Sequence, residues 1–268
     1  MTDGRGHTLP AVVSFPLSRP PAAAGRFPGS PRVANSIATA PCGNIKSAMP
    51  APDRLPIFPL PLVLLPGAVQ PLHIFEPRYR QMLSDCLAGD REFGIICRTP
   101  VIAERAIPEG TAGCRAHIES AQSLPDGRSN IMVIGGDRFV LEAFVDDPAP
   151  YHVARVASFE DVPESMAALE DLANRLRELF ARVGRSARAI QDDATPLPEL
   201  PASPAALSFA IAQFIDLELA DKQRVLASRS PLQRLQLLDE ALAPVVESIE
   251  RRAQVHARAK RNGTGGHA

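Results

Sequence analysis

Lysine is scarce in this chain: Lys46, Lys222 and Lys260 are the only three in 268 residues. None follows a glycine, so the Gly-x-x-x-x-Gly-Lys-Ser/Thr loop that cradles nucleotide phosphates is absent, and no ATP engine of that kind is encoded. Lys222 opens a predicted helix and Lys260 lies in the tail, far from any serine placed as a nucleophile, which leaves a Ser-Lys dyad without support. Gly-x-Ser-x-Gly and His-Glu-x-x-His are missing too. The six histidines, His7, His73, His117, His152, His256 and His267, have no metal-ligand spacing. His73, between Leu72 and Ile74, reads as a structural histidine, and His117, beside Ile118 and Glu119, as a solvent-facing one. The sequence therefore predicts no enzyme, no metal and no cofactor.

Other absences narrow the class further. Cys42, Cys86, Cys97 and Cys114 form no Cys-x-x-Cys pair and follow no secretory apolar segment, so reduced thiols and a cytoplasmic location are expected. No apolar run approaches the roughly 20 residues of a membrane span. The longest, Leu60 to Leu65, contains Pro61, and a soluble protein is expected. With 29 basic and 30 acidic side chains the chain carries no overall field towards nucleic acid or anionic lipid. The basic end (Arg251, Arg252, Arg258, Lys260, Arg261) lacks interleaved aromatics for base stacking and reads as helix-terminal cations.

What is present divides into four stretches: 1–53, 54–160, 161–262 and 263–268. The first is rich in Pro, Ala, Gly and Ser, has too few large apolar groups to offset ordering entropy, and is expected to be disordered. Its arginines and lack of acids between Asp3 and Asp53 superficially suit a transit peptide. A true start at Met49 is favoured, with a natural disordered tail as the other reading.

From Leu55 to about Phe159, short β-branched and aliphatic runs broken by Pro and Gly mark a β domain. Strands are predicted at Ile57–Leu60, Gln70–Ile74, Phe93–Arg98, Thr111–Leu124, Arg128–Ile134, Asp137–Phe144 and Tyr151–Phe159. Pro125-Asp126-Gly127 has hairpin chemistry, and Gly135-Gly136 is expected to turn the next pair. Between the strands, Pro77 opens a helix carrying Tyr79, Met82, Leu83 and Leu87.

After Pro163 the apolar period becomes helical. Met166, Leu169, Leu172, Leu176, Leu179, Phe180 and Val183 share one face. Ser203-Pro204 and Ser230-Pro231 start two further helices, with a short one near Ala220–Ala227 between them. The last carries Leu232, Leu235, Leu238, Leu242, Val245 and Ile249, and Pro244 is expected to kink or interrupt it.

Leu55-Pro56-Ile57-Phe58-Pro59-Leu60, then Val63-Leu64-Leu65-Pro66-Gly67, Pro71-Leu72 and Ile74-Phe75-Glu76-Pro77-Arg78-Tyr79, resembles the opening of the Lon protease N-terminal domain family. Leu124-Pro125-Asp126-Gly127-Arg128, Gly135 and Arg138-Phe139 continue the resemblance, as do Asp221-Lys222-Gln223 and Arg234-Leu235, to about Ala243. It implies an α+β fold: a PUA-like β pseudo-barrel followed by a C-terminal helical bundle. It also implies a stand-alone form without ATPase or protease modules, binding unfolded or degron-bearing protein segments as an adaptor or chaperone-like factor, with a Lon-type protease as a candidate partner. An RNA-binding PUA-like module is the alternative.

Within the motif, Pro66, Gly67, Phe75, Glu76, Pro77, Arg78, Tyr79, Asp126, Gly127, Gly135 and Arg138 read as mainly structural. Phe75 and Tyr79 are expected to bury their rings, and Glu76 at a helix start invites an arginine, with Arg138 a candidate. Client binding asks for an apolar groove or strand edge. Phe58, Leu60, Leu62 and Leu64 on the entry strand are candidates, although core is the commoner fate of such residues; the cleft between barrel and helices is another.

Overall fold

The computed structural model describes residues 53–99 and 101–263, so the expectations for the first 52 residues and the last five lie outside it. Six strands and one helix come first: β1 (Asp53–Leu60), β2 (Val69–Ile74), α1 (Pro77–Ala88), β3 (Glu92–Cys97), β4 (Ala112–Ser123), β5 (Ser129–Val145) and β6 (His152–Ser158). Four helices follow: α2 (Met166–Ile190), α3 (Pro204–Phe214), α4 (Leu219–Ala227) and α5 (Pro231–Gly263).

The strands are ordered β2-β5-β4-β3-β1-β6, and β5 also pairs with β6. The pairings from β5 through β4, β3, β1 and β6 return to β5, closing a ring, and β2 is appended outside it. This is a pseudo-barrel in an α+β fold. Only β1 and β3 are parallel. The two prolines of β1 are tolerated because its pairing is divided: Asp53 to Ile57 face β6, and Ile57 to Leu60 face β3. Pro56 and Pro59 therefore each sit where one flank alone needs ladder bonds.

The β4–β5 hairpin forms where its turn chemistry lies. Gly127 has φ 80°, Leu124 N–H donates to Arg128 O (2.8 Å), and the Asp126 carboxylate accepts the Arg128 N–H (3.0 Å). At Gly135-Gly136 the expected turn is absent, and β5 runs through as one strand of 17 residues. Its first half pairs with β2 and its second with β6, while β4 lies along both, with bulges between Cys114 and Ala116 and between Ile118 and Ser120. The glycines answer a close backbone approach rather than a reversal, as the site makes clear.

The largest hydrophobic core runs without a break from barrel into bundle. It joins Phe58, Tyr79, Met82 and Phe93 to Leu176, Phe180, Leu207, Ile211, Leu235 and Leu238. A smaller cluster around Ile57, Ile96, Phe139 and Leu141 fills the other side of the barrel. In α2, Leu169, Leu176, Leu179, Phe180 and Val183 are buried as their spacing requires, but Met166 at the first turn is exposed. In α5, Val246 rather than Val245 reaches the core. That helix continues through Pro244, which lacks the N–H that would bond the Glu240 carbonyl; both residues are exposed, on the solvent side of the helix.

Candidate functional site

Two walls meet where the bundle leans on the barrel. The barrel wall is the Leu64–Ala68 segment entering β2, turned at Gly67 (φ 76°). Gly67 N–H donates to Gly135 O (2.8 Å), and Gly135 N–H donates to Ala68 O (2.8 Å). A Cβ on residue 135 would stand 2.1 Å from Leu65 O, so only glycine lets this segment lie against β5.

The helical wall is α3, PAALSFAIAQF, which carries no charged side chain. Leu207 and Ile211 enter the core, while Ala205, Ala206, Phe209, Ala210, Gln213 and Phe214 face Pro66 and Gly67 across a cleft of about 560 Å³. Pro201 and Ser203 close one end, and Glu199 stands exposed at the rim. Gln213 Nε2 reaches Pro66 O across the gap at 3.5 Å. Alanines supply room, Phe209 and Phe214 an apolar lining, and the Gln213 amide and nearby backbone offer polar anchors. That composition suits an apolar protein segment.

Behind Phe209 lies a buried charged cluster. Arg138 of β5 donates from Nη1 to Leu226 O (2.8 Å) and Ser228 O (2.7 Å), and from Nη2 to Asp161 (2.5 Å). Arg234 of α5 donates to both oxygens of Asp161 (2.5 and 2.7 Å), to Ser228 O (2.9 Å) and from Nε to Ser208 Oγ (2.8 Å). Both guanidinium groups stack on the Phe209 ring, at 4.2 Å from Arg234 and 5.2 Å from Arg138. Burial, the largest influence, and the neighbouring Arg234 lower the Arg138 pKa; Asp161 opposes them. The partner expected for Arg138 was Glu76, and that pairing does not form. Glu76 instead accepts from its near neighbour Arg78 Nε (3.0 Å), because α1 starts beside β2, away from the Arg138 cluster.

The remaining motif residues have identifiable places. Pro77 is the first residue of α1. Arg78 forks onto Glu104 (2.5 and 2.9 Å), which also bonds His152 (2.8 Å). Burial pushes the Glu104 carboxyl up, but the bonds from Arg78 and His152 outweigh it and the net shift is downward. Tyr79 is buried against the Phe58 ring at 4.0 Å. Phe75 is 59% exposed, against the expectation that it buries: Ile74 faces the core, and strand alternation turns Phe75 outward. Asp126 and Gly127 form the hairpin turn, over which Arg80 lies so closely that a Cβ on residue 127 would meet its Nη2 at 2.1 Å. Of the entry-strand candidates, Phe58 and Leu64 are core residues, and Leu60 and Leu62 are half-buried against that core. The cleft draws on none of these four.

Sequence reasoning missed the α3 lining, Asp161 and the role of Arg234. A signal was present for the first: a surface helix of a two-layer fold ordinarily carries a charged face, and α3 has none. Among the described residues no group of three His, Cys, Asp or Glu is placed to hold a metal ion, and no helix is long and apolar enough to cross a membrane.

A ringed sheet with an appended helical bundle, and a largely apolar cleft between them, frame the site. The chain belongs to the family of ATP-dependent protease La (Lon) substrate-binding domains, whose model matches residues 54–243. It is 28% identical over 213 residues to Lon protease of Geobacter metallireducens, covering 78% of this chain and 26% of that protein. It is 30% identical over 220 residues to Lon protease 2 of Myxococcus xanthus, covering 80% and 26%. The chain thus spans about a quarter of the length of these relatives, and the match includes no ATPase or protease domain. Among solved structures, the N-terminal domain of Mycobacterium avium complex Lon protease shares the fold, with a TM-score of 0.55 and 20% identity over 71% of this chain and 98% of that one.

Proposed function

We propose that this chain is a non-catalytic module that binds unfolded or degron-bearing protein segments, taking their apolar side chains into the cleft between Pro66-Gly67 and α3. The predominantly apolar lining of that cleft, in which the α3 wall carries no charge and Glu199 stands at the rim, is the observation that carries the reading. Its volume, about 560 Å³, falls in the range of small-ligand pockets and accommodates a few apolar side chains of an extended segment. The family name supplies the class of ligand, protein substrates. Such a module would hold or deliver clients, as an adaptor for a Lon-type protease or a chaperone-like factor.

The test is fluorescence anisotropy with a permanently unfolded probe, reduced and carboxymethylated lactalbumin carrying fluorescein. Ala206, exposed on α3 and lining the cleft, is replaced by Arg to fill it. Loss of probe binding with an unchanged melting temperature supports the proposal, and undiminished binding by Ala206→Arg rejects the cleft. An RNA-binding function, the other use of such a barrel, would instead give capture of mixed-sequence RNA that weakens steeply with salt.

A further inference from the structure

We infer that Gly135 and Arg138, three residues apart on β5, are positioning residues of the cleft: the first sets its barrel wall and the second its helical wall. This rests on the cleft being the binding site, and it gives two motif residues a binding role as well as a structural one.

The barrel wall depends on Gly135 through backbone contact alone. Its N–H and C=O bond Ala68 and Gly67, the residues on either side of the turn after Pro66. A Cβ at 135 would meet Leu65 O at 2.1 Å and the Leu65 carbonyl carbon at 3.0 Å. Those are backbone atoms, so no rotamer change relieves the clash. The Leu64–Ala68 segment, with Pro66 and Gly67, must move off the strand. The neighbouring glycine imposes nothing similar: a Cβ at 136 meets only Arg115 Cβ and O, both at an ordinary 3.7 Å.

The helical wall depends on Arg138 through its side chain. Its guanidinium gathers the carbonyls of Leu226 and Ser228, from the end of α4 and the turn before α5, together with the Asp161 carboxylate from the segment before α2. Its face meets the Phe209 ring of α3. One barrel side chain thus holds three parts of the bundle, and one of them is the lining of the cleft. Besides the shared core and the long Gln213–Pro66 contact, each wall is thus held from behind by a residue of β5. A cleft held at fixed width spares a ligand the cost of closing it, so loosening either wall should appear as lost affinity.

The full chain is tested with the same lactalbumin probe, at a temperature where circular dichroism finds every variant folded. Gly135→Ala displaces the barrel wall. Arg138→Met keeps an apolar stem against Phe209, leaves the Asp161–Arg234 pair in place and removes the fork. Each is expected to weaken binding by about tenfold, and Gly136→Ala to stay within about twofold of wild type. Leu141→Ala, in the core cluster on the other side of the barrel, controls for general loss of stability. Should Arg138→Met fail to fold, Arg138→Lys keeps the charge and loses the fork that reaches Leu226 O, Ser228 O and Asp161 together, and it is expected to lose affinity. Wild-type affinity in Gly135→Ala and Arg138→Met, with binding lost in Ala206→Arg, would overturn the inference and leave the cleft intact. So would equal weakening by Leu141→Ala. Full binding by Ala206→Arg would instead remove the cleft reading itself.

Discussion

Arg138 and Arg234 share one carboxylate, that of Asp161, and both lie over the ring of Phe209. Two buried positive charges against one negative charge are stable only because carbonyls of Leu226, Ser228 and Ala205 and the Ser208 hydroxyl complete their hydrogen bonds. The cluster joins β5, α3, α5 and the segments flanking α2 and α4, so it is where barrel and bundle are locked together.

Asp161→Asn should therefore be severe. It leaves two buried guanidinium groups without a counter-charge, a change that costs about 3–5 kcal/mol when a pair is fully buried. The partial exposure of Asp161 places the expectation at the lower end. Urea denaturation followed by tryptophan-independent far-ultraviolet circular dichroism measures it. A loss under about 1 kcal/mol would mean that the backbone carbonyls alone carry the two arginines.

Acid should weaken the fold through Glu104. Its carboxyl titrates below the ordinary glutamate value in the folded state, because the bonds from Arg78 and His152 outweigh burial. The stabilisation is complete above the unfolded-state value, about 4.3, and is lost as pH falls through the lowered folded value. Melting temperature measured against pH should fall on the acid side for wild type and fall less for Glu104→Gln. Parallel curves for the two proteins would count against this account.

The described thiols should differ in reactivity. Burial, the main influence in each case, pushes Cys86 and Cys114 up to about 12, so at mildly alkaline pH almost no thiolate is available. Cys97 is also raised by burial but is only half-buried, and it should be alkylated before either. Iodoacetamide labelling with peptide mapping gives the order. Early modification of Cys114 would show that the barrel opens around β4 more readily than its packing implies.

Two glycine replacements should separate packing from conformation. At Gly113 a Cβ would lie 2.4 Å from Phe139 Cζ and 2.8 Å from Ile95 O, so Gly113→Ala overpacks the barrel and should cost about 1–3 kcal/mol. At Gly136 a Cβ meets only Arg115 Cβ and O, both at an ordinary 3.7 Å, so Gly136→Ala should be close to neutral. Comparable melting temperatures for the two variants would refute the distinction.

Features governed by neighbouring residues were legible in the sequence. Asp126-Gly127 makes its turn from local chemistry, and Pro77, Pro204 and Pro231 each stand at the first residue of a helix. The strands of the ring appear wherever aliphatic runs are bounded by Pro or Gly. What could not be read locally is what distant segments bring together. Gly135-Gly136 looks like a turn until the Leu65 backbone is placed against it, and Arg138 looks like a partner for Glu76 until Asp161 arrives from 23 residues later. Phe75 was within reach: with Ile74 facing inward, strand alternation alone turns it to solvent. The cleft lining was half legible, since an uncharged α3 signals an apolar neighbour without saying that Pro66 and Gly67 supply the opposite wall.

The closure of the strand ring has a protective side. A protein that handles unfolded segments is at risk of offering them a template, because an open row of backbone donors and acceptors invites another chain to add as a further strand and to carry aggregation onward. Here β1, β3, β4, β5 and β6 close into a ring, and β5 pairs with β2 as well. The outermost strand, β2, has Pro71 near its middle, which interrupts its row of donors. Under the function proposed above, an apolar client would meet side chains in a cleft rather than a sheet edge and would leave without having seeded a growing β-structure.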